Sequence, residues 1–80
     1  MTNLEKYNQA FIEALMVNEN ELTGLYYNSV PTWDSVAHMI LISMIESTFG
    51  IEISPKDIME FNSYCNGKQI LSEKYHIEIK

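Results

Sequence analysis

Few side chains in this sequence can act as a nucleophile or a base. The hydroxyls and the single thiol of Cys65 are the candidate nucleophiles; His38 and His76 are the candidate bases. His38 follows Ser35 by three residues, about one helical turn, so on a helix the two share a face. A serine–histidine hydrolase also needs an orienting acid and an oxyanion hole. No second glycine-rich turn is present to build one. Hydrolysis is therefore not expected, no catalytic residue is assigned, and His38 reads as a partly exposed helix residue. The two histidines have no close Asp, Glu or Cys grouping, so no metal site is expected. Cys65 reads as a small, semi-buried apolar residue, with a thiol activated by a helix end as the alternative. Ser35 is different. It stands beside Asp34 at a helix start, where free amide N–H groups and the positive end of the dipole would accommodate a phosphate on its hydroxyl. The alternative is that Asp34 or Ser35 is only a helix cap.

Charge and length narrow the partners. The chain has 80 residues, 5 Lys+Arg against 11 Asp+Glu, and a net charge of −6. One domain, residues 1–80, is expected, burying about 60% of the surface its unfolded chain exposes. Excess carboxylates and the lack of a Lys/Arg cluster disfavour nucleic acid and anionic membranes. A protein with a basic patch is favoured instead. The N-terminus lacks the basic start and apolar stretch of a signal peptide. The longest apolar region, Val36 to Ile45, is interrupted by His38 and Ser43 and is short of the ~20 residues a membrane span needs. One cysteine excludes an intramolecular disulfide and fits a reducing compartment. A cytoplasmic monomer without membrane insertion is expected.

The elements that must position these residues follow from periodicity. Leu4, Tyr7, Phe11, Ala14 and Leu15 form one apolar stripe, predicting a helix from about Asn3 to Val17 with Thr2 or Asn3 as cap. Asn18 to Trp33 shows no sustained period; it reads as a long loop with turns at Thr23-Gly24 and Val30-Pro31. Leu22, Leu25, Tyr26, Tyr27, Val30 and Trp33 would pin it across the helices. Asp34-Ser35 starts a second helix that runs to about Phe49, with Gly50 just past its end. Ile51-Glu52-Ile53 is an extended connector. Ser54-Pro55-Lys56-Asp57 restarts a short helix ending near Phe61. Asn62 or Ser63 caps a fourth helix to about Tyr75, with Tyr64, Ile70 and Leu71 inward, although Gly67 weakens its first turns. The tail Ile77–Lys80 alternates like a strand without a partner. The fold class is all-α: a small four-helix bundle of three main helices and one short one, with a long loop between helices 1 and 2.

The run from Trp33-Asp34-Ser35-Val36-Ala37-His38 through Phe49-Gly50-Ile51 to Asp57 resembles the acyl carrier protein family. That family's pattern is Asp-Ser-Leu opening a helix, an acid near the helix end, then Phe-Gly-Ile and a short acidic third helix. The spacing from Ser35 through Phe49 to Asp57 agrees without a gap, and the order of elements agrees over the whole chain. Trp before Asp-Ser and His three after Ser look like a subgroup of stand-alone carriers. The resemblance implies that Ser35, flanked by Asp34 and Val36, receives covalent 4′-phosphopantetheine from a phosphopantetheinyl transferase. It also implies that the arm's thiol holds an acyl or aminoacyl group as a thioester. Loading enzymes and acyltransferases are the further partners. The protein itself is then not an enzyme.

Two departures matter. Val36 replaces the usual Leu, which should not prevent modification. The outer face of helix 2 lacks the family's acids: only Glu46 is charged between Ser35 and Phe49. Ala37, Ile40 and Met44 are expected on that outer stripe, predicting partners that dock by apolar contact. Glu46, Asp57 and Glu60 gather near helix ends and helix 3 as a possible recognition set, or a solvated face. Met39, Met44 and Met59 read as ordinary core. Bulk fatty-acid synthesis is disfavoured against a dedicated pathway of specialised-metabolite, polysaccharide or lipid modification. The alternative from another class is an unmodified carrier-like interaction module that binds a partner through the apolar face of helix 2.

Overall fold

The computed structural model describes residues 1–80 and is 65% helical, with no strand. Helix α1 spans Asn3–Leu15, α2 Ser35–Phe49, α3 Pro55–Glu60 and α4 Tyr64–Tyr75. No helix is long and apolar enough to cross a membrane.

Each helix starts where a side chain can satisfy its free amides. Thr2 Oγ1 accepts from Glu5 N at 3.1 Å while the Glu5 carboxylate accepts from Thr2 N at 2.8 Å, a reciprocal cap on α1. The Thr2 backbone N–H, and after it the Thr2 hydroxyl, hold the Glu5 carboxyl below its ordinary value. Helix α1 ends two residues before the predicted Val17. Met16 adopts a left-handed φ of 56°, and this turns Val17 back into the core. Gly50 takes the expected positive φ of 65° after α2. Ser63, rather than Asn62, caps α4.

The segment between α1 and α2 is more ordered than its sequence suggests. Glu19–Gly24 forms a 3₁₀ helix whose start is tied by Asn18 Nδ2 donating to Glu21 Oε1 at 3.1 Å. This burst of regular structure has no apolar period because only Leu22 in it is buried. The chain is then sewn to the start of α4. Tyr27 N donates to Asn62 O at 2.8 Å and Tyr64 N donates to Leu25 O at 3.0 Å. Leu25 and Trp33 are buried, Tyr27 and Val30 half-buried, and Tyr26 exposed. The C-terminal tail also finds a partner, the first turn of α1. Lys80 O accepts from Leu4 N at 3.2 Å and Glu78 O accepts from Asn3 Nδ2 at 3.0 Å.

The core is aromatic at its centre. Phe11 touches four rings, with centroids 4.9 Å to Tyr7, 5.7 Å to Trp33, 6.1 Å to Phe61 and 5.3 Å to Tyr64. Such rings bring large buried area to a domain that has little interior. The Tyr7 hydroxyl is satisfied by Tyr64 O at 2.5 Å, and the Tyr64 hydroxyl by Asn8. Burial pushes the Tyr7 hydroxyl far up from its ordinary value. Gly67 explains itself here. A Cβ at that position would fall onto the Tyr7 hydroxyl and the Phe61 ring, so α4 can approach the cluster only with glycine.

Candidate functional site

Three serines stand at helix starts, and they are used differently. Ser54 Oγ accepts from Asp57 N at 3.3 Å and Ser63 Oγ accepts from Asn66 N at 2.9 Å; both are caps. At α2 the cap is Asp34, whose Oδ1 accepts from Ala37 N at 2.9 Å. Ser35 is therefore the first helical residue, and it is exposed. Its hydroxyl does not serve as the cap. The carboxylate takes that duty and leaves the serine oxygen available at the positive end of α2.

Ser35 sits on a ridge between two depressions. One is an open groove of about 650 Å³ on the outer face of α2, lined by Val36, Met39, Ile40, Ser43 and Met44 as well as Ser35. The other, of about 420 Å³, lies between α2 and α3. There Ser35 and Met39 face Ile58 and Met59, with Tyr27, His38, Phe61 and Asn62 completing the lining.

His38 departs from the expectation of partial exposure. It is 9% exposed, and both ring nitrogens are engaged. Trp33 Nε1 donates to His38 Nδ1 at 3.0 Å, and His38 Nε2 lies 2.8 Å from Ile58 O. An indole N–H can only donate, so Nδ1 accepts and the ring proton is on Nε2. With both nitrogens occupied, His38 has none left to activate Ser35 as a base.

The outer stripe also differs from the expected one. Ala37 is only 8% exposed and packs inward, because α2 is rotated so that Ala37, Leu41 and Ile45 share the core face. The apolar residues on the outside are Val36 at 67%, Met39 at 53% and Ile40 at 48% exposure, with Met44 half-buried at the edge. Val36, Met39, Ile40 and Ser43 follow i, i+3, i+4, i+7. Met39 and Met59 are exposed rather than core. A helix apolar on every side carries no polar face in its sequence by which to orient it, which is why Ala37 was assigned outward and Met39 inward.

The acids are spread over different duties. Glu46 Oε2 accepts from Ile53 N at 2.8 Å, tying the connector to α2. Asp57 is 6% exposed, receives Lys74 Nζ at 2.6 Å and Tyr75 Oη at 2.7 Å, and so is a clamp rather than a surface charge. Those two donors hold its carboxyl down at about 2, and the Asp57 and Glu60 carboxylates in turn push the Lys74 ammonium up. Glu60 remains exposed and lies 3.3 Å from Lys74 Nζ. Cys65, expected to be semi-buried, is exposed, with its thiol 3.8 Å from Thr23 O. No three His, Cys, Asp or Glu side chains gather as metal ligands.

A family model described as the phosphopantetheine attachment site matches residues 33–64, about two fifths of the chain. Over these residues the chain is similar to the phosphopantetheine-attachment family. The match spans Trp33, Asp34 and Ser35, all of α2 and α3, and the lining of both depressions beside the serine except Tyr27. No curated protein and no solved structure matches the chain. Carrier domains of this family take 4′-phosphopantetheine covalently and are carriers, not catalysts. The local structure suits that cofactor. A phosphodiester needs a free hydroxyl and amide N–H groups turned towards its charge, and the first turn of α2 offers both.

Proposed function

We propose that Ser35 is the attachment residue, and that the carrier presents an acyl or aminoacyl thioester on the arm to the enzymes of a dedicated pathway. The observation that carries this is the division of labour at α2. Asp34 caps the helix, and the adjacent Ser35 hydroxyl is exposed and is not the cap. A base of the transferase would take the Ser35 hydroxyl proton as the serine oxygen joins the phosphopantetheine phosphorus of coenzyme A. The pyrophosphate bond would break, and adenosine 3′,5′-bisphosphate would leave with the displaced charge. The chain's own contribution is to hold the hydroxyl on a rigid helix and to offer a surface. Tethering then raises the concentration of the cargo at each partner's active site.

The docking surface fits partners that bring apolar side chains. Val36, Met39 and Ile40 surround the attachment point, and Met44 continues the patch along α2. Among the acids, Glu60 is exposed beside Lys74 and can still meet a basic rim, whereas Glu46 and Asp57 are committed inside the fold. An apolar patch in place of an acidic one argues for partners distinct from those of bulk fatty-acid synthesis. A single domain over residues 1–80 accords with one continuous core drawn from α1, α2 and α4, against which Ile58 of α3 packs.

Intact mass after incubation with coenzyme A and a broad-specificity transferase tests the reading. One phosphopantetheine on the wild type and none on Ser35→Ala is the expected result. Addition to both would move the arm elsewhere. Addition to neither, beside a control carrier that is modified, would favour an unmodified interaction module.

A further inference from the structure

The groove between α2 and α3 is crossed by one hydrogen bond that joins its two walls. Helix α3 is only six residues long, and its end leaves Ile58 O without an amide partner from its own helix. His38, on α2, supplies the missing donor through Nε2 at 2.8 Å. The ring has little freedom to leave. It stacks on Trp33 with centroids 6.0 Å apart, meets Tyr27 edge-on at 5.6 Å, and accepts the Trp33 N–H at 3.0 Å. Trp33 is fully buried and lies two residues before Ser35. One side chain thus connects the segment entering the attachment site, helix α2 and helix α3.

We infer that His38 is a latch that closes the floor of the groove beside Ser35, so that long acyl chains cannot pass between α2 and α3 into the fold, making it a specificity-determining residue for short or polar cargo. This rests on Ser35 bearing the arm. A chain that goes deeper than the depression between Met39 and Ile58 must part α2 from α3, and the His38–Ile58 bond opposes that. An apolar chain in that place would also leave a part-buried carbonyl and an imidazole N–H without their partners, which adds to the cost. Cargo small enough to stay outside never meets the latch. His38 acts here through the position of α3, so it is a positioning residue for the groove.

The test loads acetyl- and octanoyl-phosphopantetheine onto wild type, His38→Gln and His38→Leu by a transferase. Thioester cleavage by hydroxylamine is then timed against the same thioesters on free pantetheine. Gln can keep both bonds, donating to Ile58 O and accepting from Trp33; Leu can make neither. Wild type and His38→Gln should protect octanoyl no more than acetyl, within about twofold. His38→Leu should protect octanoyl about tenfold, the effect of sheltering roughly two methylenes. His38→Phe keeps a ring without the bonds and serves if the leucine variant does not fold. Equal protection of octanoyl in wild type and His38→Leu overturns the latch, and so does no protection in any protein. Absence of the arm on Ser35 is a separate failure, that of the attachment reading. The latch is then judged on the unmodified protein by amide exchange at Ile58 and Phe61. Faster exchange in His38→Leu, with wild type and His38→Gln alike, supports it; equal exchange in all three overturns it.

Discussion

Helices α2 and α3 lie on either side of the same groove but are held to the molecule in different ways. Helix α2 packs on α1 more closely than any other helix pair, with Leu41, Ile42 and Ile45 essentially sealed from water. Helix α3 buries Asp57 in its first turn, with Phe61 following its end. Ile58 adds one half-buried apolar contact with the core, and the rest of its hold is polar. His38 reaches Ile58 O from α2; Lys74 and Tyr75 reach Asp57 from α4; Tyr75 Oη also accepts from Ser54 N at 2.9 Å. Apolar burial scales with area and is insensitive to pH. Polar clamps depend on geometry and on protonation, and each is worth little net until a partner is removed. The rigid side of the site therefore rests on α1 and the adjustable side on a few named atoms.

The largest stability effect is expected where the apolar side is broken. Leu41 is fully buried, and Leu41→Ala removes its branched end without filling the space. Substitutions of this kind cost about 2–5 kcal/mol. A domain of 80 residues has total stability on the order of 4–12 kcal/mol, so the variant should be close to unfolding. Urea denaturation should show a midpoint far below wild type, with the loss similar at every pH where both proteins are folded. A loss under about 1 kcal/mol would mean that the α1–α2 seam is not the main support.

The polar side should fail instead on acidification. Lys74 Nζ and Tyr75 Oη, with a further contribution from Ser54, lower the Asp57 carboxyl from its usual 3.8 to about 2. A depressed carboxyl stabilises the fold above the unfolded value and loses that contribution as pH falls through the folded one. Asp57→Asn keeps the side-chain size and removes the charge. The gap in urea midpoint between wild type and this variant should be widest above pH ~4 and close progressively towards pH ~2. A gap that stays constant over that range would show that the carboxylate contributes by shape alone.

Much of this was legible in the sequence where one residue type has one physical use. Thr2 with Glu5, Gly50 after Phe49, and Ser54-Pro55 before Asp57 each mark a helix end by backbone chemistry, and each helix end is where those residues place it. The 3₁₀ helix over Glu19–Gly24 was not legible, because a single buried side chain sets no period. The rotation of α2 was not legible either. Its inward and outward residues are equally apolar, so only the three-dimensional fit of Ala37 beneath the core distinguishes them from Met39 and Ile40. His38 and Asp57 look like surface residues in sequence. Their burial depends on Trp33, Ile58, Lys74 and Tyr75, all distant by three or more residues and brought together only by the fold.

The smallest stability effect belongs to the outer face of α2, and it is the sharpest check on that rotation. Ile40 is adjacent to Leu41 in sequence but 48% exposed, on the same face as Val36 and Met39. Ile40→Glu exchanges a half-exposed apolar side chain for a good helix former. It should change stability by no more than about 0.5 kcal/mol. The arm should still be added at Ser35, because the first turn and its Asp34 cap are untouched. Cargo transfer to a cognate partner should slow, since a carboxylate would have to be desolvated against an apolar surface. A large loss of stability in Ile40→Glu would place Ile40 in the core and return Ala37 to the outside. Little change in stability together with unchanged transfer would keep the rotation and move the docking surface off this stripe, towards Glu60 and the far side of α3.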